Sequence, residues 1–564
     1  MDLNHPHAAA RPPTQIGESW FQRHWPLGAA GTLALVVAAI CITRVLAQTG
    51  GKWIYSLDDT YIHLAMAKTF AAHGVWGVTQ ASGFAAATSA PLYTLLLSGI
   101  YRLLGFHELA PLLVNLGLAL LLLWWVARTL RPEISSAWCR FAVLASIVLF
   151  TPLIVQVVSG MEHTLHILLS LVFLWHSAEL LARPAGREAY AFQKRESIGL
   201  FVLAALLPVV RYEALFLVFV VCALFVLRGR WLFAVALGVA SWIPLCLVGW
   251  INIAHGSYFF PNSVLLKGNA PDRGIGALAS FLLSGLKQLT ANPDLYAIAI
   301  AITLLLFLQL RGRKTFWKRD TILLTILLAV LALHMQFART GWLYRYEAYL
   351  VAAAILVLGI TLMPWLQSRW RERAFGSLET AACLLLALLM LWPLAARART
   401  AHPLAWQTAI DIHEQQYQMA KFLRQYYPAA KVAANDIGAI TCFTEIECLD
   451  LFGLATIEVA RAKRSGAYST EFIAALATQR GVEIAIAYES WYQWIGGLPP
   501  EWTKVGAWQG RPSEMLGDTV VTFYAVKPEV AADLRRNLRE FSPTLPERVK
   551  YREPLEKEVP SALH

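Results

Sequence analysis

Apolar residues in this chain come in long unbroken runs rather than at the spacing of an amphipathic helix or a half-buried strand. Runs of about spanning length occupy residues 27–47, 110–129, 141–158, 163–182, 231–253, 295–310, 321–338, 346–365 and 379–395. Each approaches the roughly 20 apolar residues a helix needs to cross a hydrocarbon core of about 30 Å. Two shorter runs, 197–210 and 213–228, are split around Arg211, Tyr212 and Glu213.

The polar gaps carry basic clusters: Arg11/Arg23, Arg128/Arg131/Arg140, Arg183/Arg187/Lys194/Arg195, Arg228/Arg230, Arg311/Arg313/Lys314/Lys318/Arg319 and Arg369/Arg371/Arg373. Short cytoplasmic loops collect Lys and Arg. Placing all six clusters inside requires an even number of crossings between each neighbouring pair. The split runs therefore predict a two-span helical hairpin, and residues 91–104 predict a helix lying along the outer face, with Tyr101 and Arg102 near the interface. The first hairpin arm covers only about 21 Å. Unless its helix starts before Leu200, Arg211 and Glu213 sit at lipid depth, inside protein or a wet cavity. The expected fold is a polytopic α-helical membrane protein of about eleven transmembrane helices plus juxtamembrane helices, with a C-terminal extracytoplasmic α/β domain. Its parts are a cytoplasmic segment 1–26, a membrane domain 27–395, an outer domain 396–540 and a disordered tail 541–564. The protein belongs in the cytoplasmic (inner) membrane, N-terminus inside and C-terminal domain outside.

Composition agrees: the mean hydropathy of the 564 residues is +0.50 and 15% are charged, against about 25% in soluble domains. The net charge of +11 is spread over the inter-run clusters, which excludes a nucleic-acid footprint. The first run, near Leu27, is long enough to remain as an anchor. Cys41, Cys139, Cys222, Cys246 and Cys383 lie in or beside apolar runs and read as small hydrophobes.

Candidate chemistry collects in the outer loops. The adjacent carboxylates Asp58 and Asp59 follow the first span, with His63, Lys68 and His73 after them; Ser159, Gly160, Glu162 and His163, then Arg211 and Glu213, then His255, Asn262 and Lys267, then Arg339, Tyr344, Arg345 and Glu347 share that side. Ionisable groups beside a bilayer are costly and are kept for function. Transfer of a sugar from a polyprenyl phosphate to a hydroxyl needs a base for the proton, cations for the departing phosphate and a groove for the isoprenoid. Asp58 or Asp59 can be the base, and Arg211, Lys267, Arg345 and Arg339 can hold phosphate oxygens. Helix walls with Trp53, Trp76 and Trp342 can form the groove. The same pair can instead contribute oxygen ligands to a divalent cation, although two carboxylates are too few for a tight site. His63 shares a helix face with Asp59 if the segment is helical, and reads equally as a hydrogen-bonded interfacial histidine.

Leu57-Asp58-Asp59-Thr60-Tyr61-Ile62, then Ala65-Met66-Ala67-Lys68 and His73-Gly74, resembles the first external loop of GT-C-fold glycosyltransferases, nearest the branch of mycobacterial-type terminal arabinofuranosyltransferases. In that pattern an acidic pair precedes an aromatic, an amphipathic helix and a glycine, then a small-residue stretch (here Gly83 to Ser89) and a proline-led helix (Pro91-Leu92-Tyr93). Ser159-Gly160-Met161-Glu162, Phe260-Pro261-Asn262, Arg345-Tyr346, Asn435-Asp436-Ile437-Gly438-Ala439 and Asp450-Leu451-Phe452-Gly453-Leu454 extend the likeness. The hairpin reads Arg211-Tyr212-Glu213 where relatives tend to have Arg-Pro-Asp. The resemblance implies an inverting transfer from a polyprenyl-phosphate sugar donor to a cell-envelope glycan, lipid or protein, with a loop-one acid as base, Asp58 preferred. It further implies that Glu162, His63 and Asn262 orient or bind the acceptor. A transporter or flippase of lipid-linked saccharides is the alternative, and would place its charges near the midplane. A non-catalytic assembly partner is a third reading.

After about Ala396 the pattern changes. Asp411 to Tyr427 reads as an amphipathic helix, 471–479 as another, and Lys431–Ala434, Cys448–Leu451, Val482–Ala487 and Val520–Val526 as short strands, an alternation that predicts a small α/β domain. Asn435, Asp436 and Asp450 follow strand ends, as ligand groups or as turn-formers, the latter preferred for Asn435. Trp491, Tyr492 and Trp494 offer an aromatic cluster for a sugar face or the bilayer. Cys442 and Cys448, six apart across an expected hairpin, read as a disulfide or as two buried thiols.

Overall fold

The computed structural model describes residues 19–183, 189–267, 275–311, 316–371, 378–513 and 516–553. Among the described residues, seven helices are long and apolar enough to cross a membrane: Trp20–Gln48, Ala110–Glu133, His163–Ala182, Trp231–Ala254, Pro293–Arg311, Arg319–Phe337 and Ala348–Ser368. The run at 141–158 is not one straight helix. Ala137–Phe150 and Leu153–Ser159 meet at a 43° bend, because Pro152 lacks an N–H and cannot continue the ladder. The bent pair makes an eighth candidate span. The hairpin arms end at Val210 and start at Ala214, and the first arm starts at Ala189, well before Leu200. Its 22 residues reach about 33 Å, so the arm is not too short to cross. The chain is a multi-pass membrane protein.

Helix Asp58–His73 opens with its two aspartates in the first turn, where the helix dipole favours negative charge, and closes at Gly74 in the left-handed conformation. The expected amphipathic character is absent: every residue from Thr60 to Ala67 is buried. Helix Pro91–Leu104 covers one side and helix Gly438–Phe443 of the C-terminal domain covers another. Tyr101 is likewise buried rather than interfacial, while Leu95, Leu96, Leu103 and Leu104 are exposed on the other face of Pro91–Leu104.

The last bundle helix runs without a break from Leu378 to Glu414, past the expected end of the membrane domain. The C-terminal domain then forms a six-stranded sheet: β1 (Lys431–Ala434), β2 (Glu447–Asp450), β3 (Ile484–Ala487), β4 (Thr503–Gln509), β5 (Val520–Ala525) and β6 (Lys550–Arg552), in the order β2-β1-β3-β5-β4-β6. β1 pairs in parallel with β2 and β3, and the other pairings are antiparallel. The sequence pattern missed β4 and β6. β4 carries a Gly and a register shift between Lys504 and Gly506 that spoil its alternation, and β6 is a three-residue edge strand in a stretch expected to be disordered; residues 554–564 lie outside the described residues. Cys442 and Cys448 do not face each other across a hairpin. One sits on the helix Gly438–Phe443, the other on β2, and both are buried free thiols.

Candidate active site

The acidic pair is split between two environments. Both Asp58 oxygens accept backbone N–H bonds from the C-terminal domain, Gly438 N at 2.7 Å and Ala439 N at 2.8 Å. The approach is close: a Cβ on Gly438 would lie 2.0 Å from the Asp58 carbonyl oxygen, so only glycine fits. Asp59 points the other way, accepting from Lys267 Nζ at 3.0 and 3.3 Å and from Arg345 Nη2 at 2.7 Å. Burial and the neighbouring Asp436 raise the Asp58 carboxyl well above the ordinary carboxylate range, against its two N–H donors. Burial also pulls Asp59 upward, but Lys267 and Arg345 outweigh it and hold Asp59 far below that range. One carboxylate is thereby made basic and its neighbour is locked ionised.

A second polar cluster lies beside Asp59. Arg211 donates to Glu162 at 2.8 Å and, through Nε, to Glu213 Oε2 at 3.1 Å. His63 Nδ1 is 3.0 Å from the hydroxyls of both Thr88 and Thr94, and its Nε2 lies 3.7 Å from Glu162. Burial lowers the His63 pKa, partly countered by Glu162. Glu162 follows Gly160, which ends helix Leu153–Ser159 at φ +74° with its Cα against the Tyr55 ring; a side chain there would clash with loop one.

Arg345 is delivered by an unusual turn. Gly341, Trp342, Leu343 and Tyr344 have φ of 81°, 48°, 63° and 55°, a left-handed turn that costs L-residues roughly 1–2 kcal/mol each. Three anchors hold it: Arg397 donates to Tyr344 O (3.0 Å), Gln156 to Leu343 O (3.2 Å) and Gly341 N to Glu347 (3.0 Å). Arg397 is itself fixed by Asp294 at 2.7 Å and Glu347 at 2.8 Å. Anchored in this way, the turn sets Arg345 beside Asp59.

Two adjoining cavities meet at Asp59, Lys267, Arg339, Arg345 and Tyr346. The first, about 290 Å³, is walled by Leu215, Phe216, Phe260, Val264 and Phe337, with Arg211 and Glu213 at its polar end. The second, about 260 Å³, lies against the C-terminal domain and is lined by Asp58, Gln416, Asn435, Asp436, Phe452 and Trp491. Arg339 is exposed, lines both cavities, and its guanidinium has no protein partner among the described residues. One cavity therefore offers cations with an apolar wall, the other a raised carboxylate with amides and aromatic rings. That pairing can hold an anionic lipid head on one side of Asp59 and a hydroxyl compound on the other.

Asp58, Asp59, His63, Glu162, Arg211, Lys267 and Arg345 are thus brought together. Asn262 is not: it is buried beside the site, donating to Leu454 O at 3.1 Å, and ties the segment bearing Lys267 to the C-terminal domain. Lys68 serves that junction too, donating to Cys442 O and Glu445 at 2.9 Å. Trp53 and Trp76 do not line the apolar cavity; Trp53 packs on Tyr55 and Trp76 on Phe70. Trp342 lines the second cavity instead. Asp450 is the turn-former, accepting from Phe452, Gly453 and Ala455 N–H groups, whereas Asn435 lines a cavity, the reverse of the expected preference. Among the described residues, no group of three or more His, Cys, Asp or Glu side chains is placed to hold a metal ion. Asp58 and Asp59 spend their oxygens on different partners. The residues that sequence reasoning missed are Gly438, Ala439 and Gln416; the motif holding the first two was visible, but its partner was not.

The chain has a GT-C-like fold: a membrane helix bundle with a C-terminal α/β domain. The chain is similar to ArnT from Cupriavidus metallidurans, solved bound to undecaprenyl phosphate, with a TM-score of 0.51 at 12% identity over 90% of this chain and 99% of that one. Two other structures are similar at lower scores. They are the Archaeoglobus fulgidus oligosaccharyltransferase, solved in complex with Zn and sulfate (0.46, 13% identity, 87% of this chain and 72% of that one), and the arabinofuranosyltransferase AftD from Mycobacteria (0.41, 15%, 88% and 41%). Residues 408–524 match a domain of unknown function, DUF8728. No curated protein sequence matches the chain.

Proposed function

We propose that this protein is a membrane glycosyltransferase that moves a sugar from a polyprenyl-phosphate donor to a cell-envelope hydroxyl, with inversion. The observation that carries the reading is the split acidic pair at the junction of a cationic, apolar-walled cavity and a carboxylate-and-amide cavity. The fold it shares with ArnT, whose structure holds undecaprenyl phosphate, supports the choice of donor. The resemblance of loop one supports a relation to the arabinofuranosyltransferase branch, with a pentose or a hexose as the transferred sugar. The helical bundle, through the helix Leu378–Glu414, is the catalytic membrane domain and the sheet domain that follows, through Arg552, is the extracytoplasmic domain, at the outer face of the cytoplasmic membrane with the N-terminus inside.

In this reading the donor phosphate enters the first cavity and takes Lys267, Arg345 and Arg339 as its cations, with the isoprenoid along Phe216, Phe260 and Phe337. Until then Asp59 keeps Lys267 and Arg345 in position. Arg211 is engaged by both Glu162 and Glu213 and acts by placing them. The acceptor hydroxyl lies in the second cavity and gives its proton to Asp58, each of whose oxygens retains a free lone pair beside its N–H donor. The hydroxyl oxygen forms a bond to the anomeric carbon from the face opposite the phosphate, the carbon–phosphate-oxygen bond breaks, and polyprenyl phosphate leaves with the electron pair.

The test is transfer by the full-length protein in nanodiscs, using radiolabelled polyprenyl-phosphate sugars and a membrane glycolipid extract as acceptor. Wild type should transfer at least one sugar, Asp58→Asn none, and Asp59→Asn a reduced amount. Undiminished transfer by Asp58→Asn would refute the assignment of the base.

A further inference from the structure

The second cavity contains two buried amides that each lack a partner. Gln416, 2% exposed, donates its Nε2 to Asp436 (2.8 Å) and Tyr488 (3.1 Å), yet its Oε1 accepts no hydrogen bond. Asn435, 5% exposed, accepts Tyr488 N at 2.9 Å through Oδ1, yet its Nδ2 donates none. A buried polar atom left in this state costs about 1–3 kcal/mol, and folded proteins rarely keep one without a use. Both side chains border the same cavity, and an unmet acceptor beside an unmet donor is the complement that a pair of hydroxyl groups supplies.

The rest of the wall agrees. Asn435 follows β1, Phe452 follows β2 and Trp491 follows β3, so the cavity opens at the carboxyl ends of the three parallel strands, where open α/β sheets bind ligands. Trp491 is held as a platform. Its Nε1 donates to Gly517 O at 2.9 Å, its ring sits 5.3 Å from Tyr488 and 5.6 Å from Phe452, and a Cβ at Gly517 would strike it at 2.4 Å. Apolar ring faces bordered by amides suit a sugar ring, with its C–H face and hydroxyl edge. Charge narrows the class further. Asp58, Asp59 and Asp436 line this cavity, and two of its three cations, Lys267 and Arg345, are engaged by Asp59.

We infer that the C-terminal domain forms a saccharide subsite for a neutral sugar, with Asn435 and Gln416 holding ring hydroxyls and Trp491 stacking on the ring, so that the acceptor is an uncharged glycan end. This deepens the proposed function and rests on it. The three carboxylates disfavour uronic acids and sugar phosphates, and a hydroxyl on a peptide lacks the second hydroxyl that the amide pair takes.

The experiment is saturation-transfer NMR on the full-length protein in nanodiscs without donor. Probes are neutral methyl pentofuranosides and methyl hexopyranosides, the matching uronic acids and sugar phosphates, and, separately, undecaprenyl phosphate. At least one neutral glycoside should give ring-proton signals, the anionic sugars none. Asn435→Asp keeps the oxygen that Tyr488 N needs, removes the free donor and adds a carboxylate beside Asp436; it and Trp491→Phe should each weaken the glycoside about tenfold, while undecaprenyl phosphate binding reports an intact fold. Equal glycoside binding by both variants, preference for anionic sugars, or undecaprenyl phosphate binding with no glycoside binding would overturn the subsite and leave the transferase reading standing. Absence of undecaprenyl phosphate binding by wild type would instead strike the transferase reading itself.

Discussion

Asp58 is gripped by main-chain N–H groups from a domain 380 residues away, whereas its neighbour Asp59 is gripped by side-chain cations from two membrane loops. The first arrangement fixes position without adding a counter-charge, so burial and Asp436 keep the carboxyl basic. The second adds two counter-charges and removes the basicity. Two chemically identical residues thus receive separate tasks, and the difference lies in what kind of donor reaches them. In the proposed mechanism the backbone clamp positions the base, and the cation pair makes a seat that an incoming phosphate can share.

The comparison breaks most directly at Asp58. Asp58→Asn should lower transfer about 10²–10⁴-fold, the usual worth of a general base, measured as initial rates, while Asp59→Asn falls less. Gly438→Ala attacks the clamp rather than the base. Overpacking at such a contact costs about 1–3 kcal/mol, and a base displaced by about 1 Å loses roughly 100-fold in rate; a thermal melt beside an initial-rate assay reads both. Arg345→Lys keeps the charge but loses the planar fork beside Asp59 and Tyr346, and should raise the donor KM about tenfold with little change in acceptor KM. Asp436→Asn should shift a pH profile rather than abolish activity. The base works unprotonated and Asp436 raises its pKa, so without that charge the acidic limb of kcat/KM moves to lower pH; an unmoved limb would mean that Asp436 serves structure alone. Arg339→Ala should be smallest. An exposed residue without a protein partner changes stability by no more than about 0.5 kcal/mol, and its loss should weaken undecaprenyl phosphate up to about fivefold.

How much of this was legible in the sequence follows from the same contrast. Charges beside a membrane are scarce, so Asp58, Asp59, Arg211, Lys267 and Arg345 could be singled out and sorted to one side by the parity of basic loops. Main-chain donors leave no such trace: nothing in Gly438-Ala439 announces an N–H pair aimed at residue 58. Gln416 looked like one more polar position on an amphipathic helix, and Asn435 like a turn residue, because their free atoms become visible only when every partner is counted. Pro152 was a visible breaker inside an apolar run, but hydropathy alone does not register a bend. β1 was found to the residue because it is short, buried and flanked by turn formers, while β4, with a glycine and a register shift, fits neither period.

The clamp on Asp58 also sets a schedule. Asp58 lies 380 residues before Gly438 and is synthesised long before the N–H groups that clamp it. A nascent or truncated chain can insert its helices, expose the acidic pair and even assemble the loops that bear Lys267 and Arg345, and still lack a positioned base. In the proposed mechanism, competence therefore arrives late and all at once, when the C-terminal domain folds and docks.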